Sequence, residues 1–552
     1  MPPSPETAAP RGPRAVPWAD LALVGAAAVL VYLNALPNGF ALDDGPIIVD
    51  NATVHHLSDQ ARIWLTPYWP GAEGLERGLY RPLTILAFAV QWAAGEGQPW
   101  IFHAVGVGLH AASSMLVLGL LRLFLGRIPA LFGAAVFAVH PLHVEAVANG
   151  VGQAELLAAL FVLVASVAWG SRPRGLQPSP LRMLVVLSSY LLAMLTKEHA
   201  VVLPGLLLAL DAAQGRVREA GYPSRVLGPA LALGSGAAVY LVLRWIVLGG
   251  SLSGQAPVQL DFLQDPPTRI LVALSVWPEY LRLLVAPFRL SFTYDPGVLP
   301  LPTGVDVRVL AGGLLLGLTL SAIVVRRAWP GIGLGASWFL LSVLPISNLI
   351  LPIGTVLAER TLYLPSVSLA FWTGYGVAAI ADVQERRPVA GRVALAIAAL
   401  WTLALATKTV SRNPVWADNA ALVARGLETH PGSFQVQWFH ALELWETGDM
   451  VSSERSFAGA LDTYDGDARF LTHYARFRYE TGDVAGADTL IASALRIHPG
   501  GADALYVSGL VAVARGDAAA ARERMRALQA RGFDGLSQGI ADSLAIRLPP
   551  GG

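Results

Sequence analysis

Cysteine is absent from the 552 residues, which excludes a disulfide framework, thiolate metal ligands and a cysteine nucleophile. Charge is scarce as well: 14% of residues are charged, against about a quarter in soluble domains. A net excess of either sign is also missing, with 39 Lys+Arg against 39 Asp+Glu. Nothing here has the basic surplus of a nucleic-acid binder. Glycine-rich nucleotide loops are absent too, with no Walker motif and no dinucleotide fingerprint after a strand. An enzyme built on this chain must draw an activated substrate from the membrane.

What fills the sequence is apolar: 54% of residues are hydrophobic and the mean hydropathy is +0.52. Runs near the 20 or so residues that span a bilayer fall near 18–37, 99–122, 128–147, 152–170, 182–196, 198–213, 226–248, 307–325, 332–352, 362–381 and 390–408. Two more, "RPLTILAFAVQWAA" and "RILVALSVWPEYLRLLVAP", are short or interrupted and read as re-entrant or interfacial helices. The first run is too long for a cleaved leader and lacks a small-x-small site, so it reads as a retained signal anchor. With about eleven crossings, Arg11 and Arg14, Arg122 and Arg127, Arg172, Arg174 and Arg182, Arg216 and Arg218, Arg326 and Arg327, and Arg386, Arg387 and Arg392 fall on one side. The positive-inside rule makes that side cytoplasmic. The chemically unusual segments all fall on the other. The expected organisation is a cytoplasmic tail (1–17), a membrane domain (18–408) and a soluble helical domain (409–545).

The soluble part repeats. Gly448, Gly482 and Gly516 stand 34 residues apart, each followed by Asp. A 34-residue helix–turn–helix period is the tetratricopeptide signature. Ala487, Ala494 and Pro499 fit its packing and terminal positions, and Pro431 marks a partial repeat before the three. Such repeats form an α-solenoid whose concave face holds extended polypeptide.

Several segments then compete for chemistry. In "GFALDDGPIIVDN", Asp43 and Asp44 follow the first span; they read as a helix cap, a solvated pair, a metal ligand or a general base. Asn51 opens a glycosylation sequon, taken as a chance match. "FAVHPLHVEAV" gathers His140, His143 and Glu145 at a span boundary. The plain reading is a pair of interfacial histidines closing a helix. A zinc site is disfavoured because Pro141 breaks the helix between the ligands, and a polar substrate pocket is preferred because Gln153 and Glu155 add polarity. Lys197 and Glu198 in "LTKEHAV" are either a neutralising ion pair or a cation that meets phosphate. Arg360 in "AERTLYLP" raises the same question, as do Arg81 and Arg282 more weakly, since a guanidinium grips phosphate with a bidentate fork.

Eight ordered segments carry a resemblance: "NGFALDDGPIIVDN", "GLYRPLTIL", "FHAVGVGLHAASSMLV", "FAVHPLHVEAVANGVGQAELLA", "LTKEHAVVLPG", "RLLVAPFRLSFTYDP", "AERTLYLPSVSLAF" and "RNPVWADNAALVARGLETHPGS". Together, over roughly 30–530, they resemble the transmembrane and tetratricopeptide-repeat-containing O-mannosyltransferase family and its bacterial relatives. The resemblance implies an all-α, GT-C-type membrane glycosyltransferase that takes a sugar, mannose in the eukaryotic members, from a polyprenyl-phosphate donor. It implies Asp43 and Asp44 as the catalytic pair, one of them accepting the acceptor hydroxyl's proton in an inverting displacement. Arg360 and Lys197 are then expected on the departing phosphate, where a divalent ion could share the task. Arg81 and Glu198 belong to the same substrate-binding set, and His140, His143 and Glu145 are expected to shape the sugar or acceptor pocket. The repeats are expected to hold a polypeptide or glycan acceptor. Their small number, where eukaryotic members have more, leaves the acceptor open. The expected location is a bacterial inner membrane with periplasmic repeats. A membrane-anchored scaffold for envelope assembly is the alternative. A transporter is disfavoured because the polar motifs sit at one face and no inverted repeat appears.

Overall fold

The computed structural model describes residues 16–252, 260–326 and 330–547. Arg11, Arg14 and Arg327, used above to assign sides, lie outside the described residues, as does the expected tail up to residue 15. Among the described residues, regular structure is helical throughout, apart from one antiparallel bridge between Leu260 and Asp467.

Among the described residues, six helices are long and apolar enough to cross a membrane: Trp18–Ala35, Pro99–Leu121, Gly150–Gly170, Tyr222–Val247, Val307–Val324 and Pro388–Trp416. The pair Arg127–Ala138 and Pro141–Val147 is long and apolar enough when taken together, and is bent by 43° where Pro141 removes an amide donor. Pro180–Thr196, Leu203–Ala213 and Pro330–Val343 are shorter helices of 17, 11 and 14 residues. Val367–Arg386 ends in a polar turn with Asp382, Glu385 and Arg386. The central Gly150–Gly170 helix is two-thirds buried, whereas Val307–Val324 and Pro388–Trp416 are 11% buried and turn leucines such as Leu310, Leu314 and Leu400 outward. Outward leucine on a spanning helix faces lipid at no cost.

Neither interrupted stretch forms a single helix of spanning length. Pro82–Gly95 lies under the first loop, where Ile85, Phe88 and Ala89 form a separate small core with Ile47, Ile48 and Tyr68. The second stretch is two helices, Pro266–Ser275 and Trp277–Val285.

Helix direction sorts the chemistry into two ends. Trp18–Tyr32 packs along Pro99–Leu121 and Arg127–Ala138, and Asp20 near its start binds Arg127 at 2.8 Å. Asp43 follows the far end. Gln153–Gly170 likewise begins beside Glu155 and ends against Arg172. One helix length, about 25 Å at 1.5 Å per residue, separates the ends.

The C-terminal part is a series of helical hairpins: Phe434–Glu446 with Met450–Thr463, Ala468–Glu480 with Val484–Ile497, and Ala502–Ala514 with Ala518–Gln529. The Gly-Asp step explains each turn. Gly448, Gly482 and Gly516 take φ of +86°, +94° and +77°, the left-handed conformation that ends a helix and favours glycine. Asp449, Asp483 and Asp517 then cap the following helices by accepting from the backbone amides of Ser452, Gly486 and Ala520. Ala487 and Ala494 are fully buried between helices.

Candidate active site

The acidic pair is split by its backbone. Leu42, just before it, holds φ +50°, a strained setting for a branched side chain. Its amide donates to Asn419 Oδ1 at 2.7 Å, and Gly39 N donates to Ala417 O at 2.8 Å. The loop is thus tied to the segment that follows the last spanning helix. Asp44 turns inward, fully buried, and accepts from the amides of Val151 (2.7 Å), Gly150 (3.1 Å) and Ala41 (3.2 Å). A Cβ at Gly150 would stand 3.0 Å from Asp44 Oδ1, so glycine permits that approach. Burial pushes the Asp44 carboxyl up to about 7 against the pull of these amides.

Asp43 faces the other way. Its side chain is 37% exposed and lies 3.5 Å from Arg360 Nη2. Arg360 is fixed from behind by Glu145, which accepts from Nη1 at 2.6 Å and from the Arg360 amide at 2.8 Å. Glu145 itself is 1% exposed. A buried carboxylate that grips both the backbone and side chain of an arginine leaves the remaining guanidinium edge in a set direction.

Two more cations are held in the same manner. Glu198 takes Arg81 through a fork, 3.0 Å from Nε and 2.6 Å from Nη2, while the guanidinium lies 4.9 Å from the Tyr68 ring centre. Lys197 binds Glu155, which also has His199 Nε2 at 3.5 Å. Tyr68 feels the charges of Arg81, Asp43 and Arg360, which brings those groups to one neighbourhood. The structure therefore assembles Asp43, Arg81, Glu145, Lys197, Glu198 and Arg360 from five separate segments of chain.

It does not place His140 and His143 at that surface. Both are buried: His140 meets Leu284 O at 2.9 Å, and His143 meets Ser366 Oγ at 2.8 Å. His143 packs between Phe137 and Tyr363. They lie at the bend under the site, behind the surface that carries Asp43 and Arg360. Asp44, expected to share catalysis, has its carboxylate committed to three buried amides. Asn51 caps a short helix through the Thr53 amide and is 4% exposed, consistent with a sequon matched by chance.

A divalent ion fits the residues poorly. Glu145, Glu155 and Glu198 are each paired with a cation, and among the described residues no group of three His, Asp or Glu side chains converges to hold one.

Tyr68, Asn419 and the buried set around Glu359 escaped sequence reading. Glu359 Oε1 accepts from Ser291 N and Tyr294 Oη, both at 2.7 Å. Burial pushes its carboxyl up to about 7. Next to Tyr294, Asp295 accepts from Ser433 Oγ and from Gln435 N at 3.0 Å, fastening the first hairpin to the membrane part. The "LSFTYDP" segment was the available signal, but its partners lie 65 to 142 residues away.

The chain is similar to several curated proteins. It is 27% identical over 477 residues to mouse protein O-mannosyl-transferase TMTC3, covering 80% of this chain and 50% of that one. It is 27% identical over 496 residues to human protein O-mannosyl-transferase TMTC4, covering 80% and 66%. Human protein O-mannosyl-transferase TMTC1 matches at 27% over 488 residues, covering 79% and 54%. The chain thus spans about half to two-thirds of the length of these relatives. The resemblance read from the ordered motifs is borne out over four-fifths of the chain. No family model matches. Among solved structures, ArnT from Cupriavidus metallidurans bound to undecaprenyl phosphate covers 90% of this chain and 80% of its own, at 14% identity and TM-score 0.40. That is too distant to carry residue roles.

Proposed function

We propose that this protein is a membrane glycosyltransferase that moves a sugar, mannose by analogy with the names of its relatives, from a polyprenyl-phosphate donor to a hydroxyl on the extracytoplasmic face. The observation that carries the reading is one half-exposed carboxylate, Asp43, beside a guanidinium that a buried glutamate holds in place. Asp43 takes the proton of the acceptor hydroxyl as its oxygen bonds to the anomeric carbon. The carbon–oxygen bond to phosphate breaks with inversion, and the leaving phosphate gains negative charge. Arg360, with Lys197 and Arg81 nearby, meets that charge with donors already oriented, so little reorganisation is needed in the transition state. Glu145, Glu155 and Glu198 are positioning residues for these cations. Each also neutralises its partner in the resting state, so the donor phosphate competes with a carboxylate for every cation.

The acceptor in this reading is a Ser or Thr hydroxyl of a polypeptide, or a glycan hydroxyl, presented by the hairpin repeats. Anchoring near the site raises the acceptor's effective concentration. The side bearing Arg122, Arg127, Arg172 and Arg216 is cytoplasmic by the positive-inside rule, which puts the site and repeats on the far side of a bacterial inner membrane. The test is transfer of label from polyprenyl-phosphate [14C]mannose, or from other polyprenyl-phosphate sugars, to a periplasmic extract by the purified protein in vesicles. Label in polymer supports the reading. No transfer from any of these donors removes it in favour of a scaffold.

A further inference from the structure

At the end of the bundle remote from Asp43, the Gln153–Gly170 and Leu203–Ala213 helices finish where Tyr222–Val247 begins. They surround a small open cleft lined by Arg172, Pro173, Leu176, Arg216, Tyr222 and Arg225, with Glu219 at its side. Arg172 binds Asp211 Oδ2 at 2.5 Å and lies 3.9 Å over the Trp169 ring. Tyr222 Oη donates to the same Asp211 oxygen, and Asp211 Oδ1 has no protein donor. Arg225 pairs with Glu219 at 2.9 Å, and Glu219 also accepts from Gly175 N.

Arg216 is the unusual member. It is 6% exposed, and its Nη2 donates to Gly170 O and Arg172 O, yet Nε and Nη1 have no protein acceptor. Buried guanidinium N–H groups without an acceptor cost free energy that a bound anion recovers. Three guanidiniums face two carboxylates here, and Arg174 stands at the rim on Gln214 O. Burial and the adjacent Arg172 charge push the Arg216 guanidinium down to about 10, a cost that an anion reverses.

We propose that this cleft binds the phosphate of an anionic phospholipid in the leaflet opposite the candidate active site. The phosphate sits over Arg216 and Arg225, and its acyl chains run down the apolar surface beside them. A lipid is favoured over free phosphate because exposed Leu181 and Leu184 on Pro180–Thr196, and Leu227 and Leu231 on Tyr222–Val247, lead away from the cleft on two packed helices. This inference is independent of the glycosyl-transfer reading.

The experiment is native mass spectrometry of the full chain in detergent, titrated with phosphatidylglycerol, phosphatidylcholine or inorganic phosphate. One guanidinium without a carboxylate partner at a membrane surface predicts retention of phosphatidylglycerol about fivefold tighter than phosphatidylcholine. Arg216→Met and Arg225→Met should reduce it to the phosphatidylcholine level. Arg225 makes only peripheral pairs, so its variant keeps the test valid if Arg216→Met fails to fold. Arg218→Gln, exposed on the same face but outside the cleft, should retain the preference. Equal retention of the two lipids, or undiminished binding by Arg225→Met, overturns the site. Displacement of phosphatidylglycerol by equimolar inorganic phosphate overturns the lipid assignment in favour of the free anion.

Discussion

Asp43 and Asp44 are adjacent and chemically identical, and their surroundings give them opposite work. Asp44 holds three buried amides, so Asp44→Asn should destabilise the protein by about 2 kcal/mol, read as a lowered thermal midpoint in detergent. Asp43 holds up nothing, and its loss should leave that midpoint unchanged. Glu145→Gln should preserve folding yet free Arg360, lowering turnover by about tenfold to a hundredfold and weakening donor binding with it. A third residue-scale expectation concerns pH. Glu359 is raised from 4.5 to about 7 in the folded protein, so the folded state keeps a proton that the unfolded chain has released. Its contribution to stability is present below pH 4.5 and is lost as pH rises through about 7. Thermal midpoints should fall over that window, and Glu359→Gln should flatten the fall.

The helical hairpins show how far an element can be read from spacing. The 34-residue period located each Gly-Asp turn because αL geometry and N-capping are local demands, met by two adjacent residues. Gly482→Ala should therefore cost about 1 to 2 kcal/mol, and Asp483→Ala about 1 kcal/mol, each measurable as a shift in the unfolding midpoint. Helix lengths were less legible. Apolar composition marks every helix of the bundle, but whether a helix is 11, 17 or 26 residues long depends on caps and breaks that hydropathy averages away. Arg360, Lys197 and Arg81 were visible as candidates because a charged group in an apolar chain stands out. Their carboxylate partners were not assignable, since Glu145 and Arg360 are 215 residues apart. The histidines show the same limit: a titratable type is visible in sequence, while its partners, Leu284 O for His140 and Ser366 Oγ for His143, are 144 and 223 residues away.

At the scale of the whole molecule, two ends of one helical bundle carry different chemistry, and the repeats are fastened to only one of them. Asp295 with Ser433 and Gln435, the Leu260–Asp467 bridge and Ala502 N on Glu76 are among the fastenings. Asp295→Ala should loosen the first of these. Limited proteolysis near 430 should then accelerate without loss of membrane insertion.

The central claim is that Asp43, and not its neighbour, accepts the acceptor's proton. It is tested most directly by polyprenyl-phosphate mannose transfer in vesicles with wild type, Asp43→Asn and Asp44→Asn at equal folded concentration. The account predicts that Asp43→Asn loses on the order of 10² to 10⁴ in turnover at an unchanged thermal midpoint. Asp44→Asn should retain turnover per folded molecule while melting lower. Wild-type turnover by Asp43→Asn would contradict it.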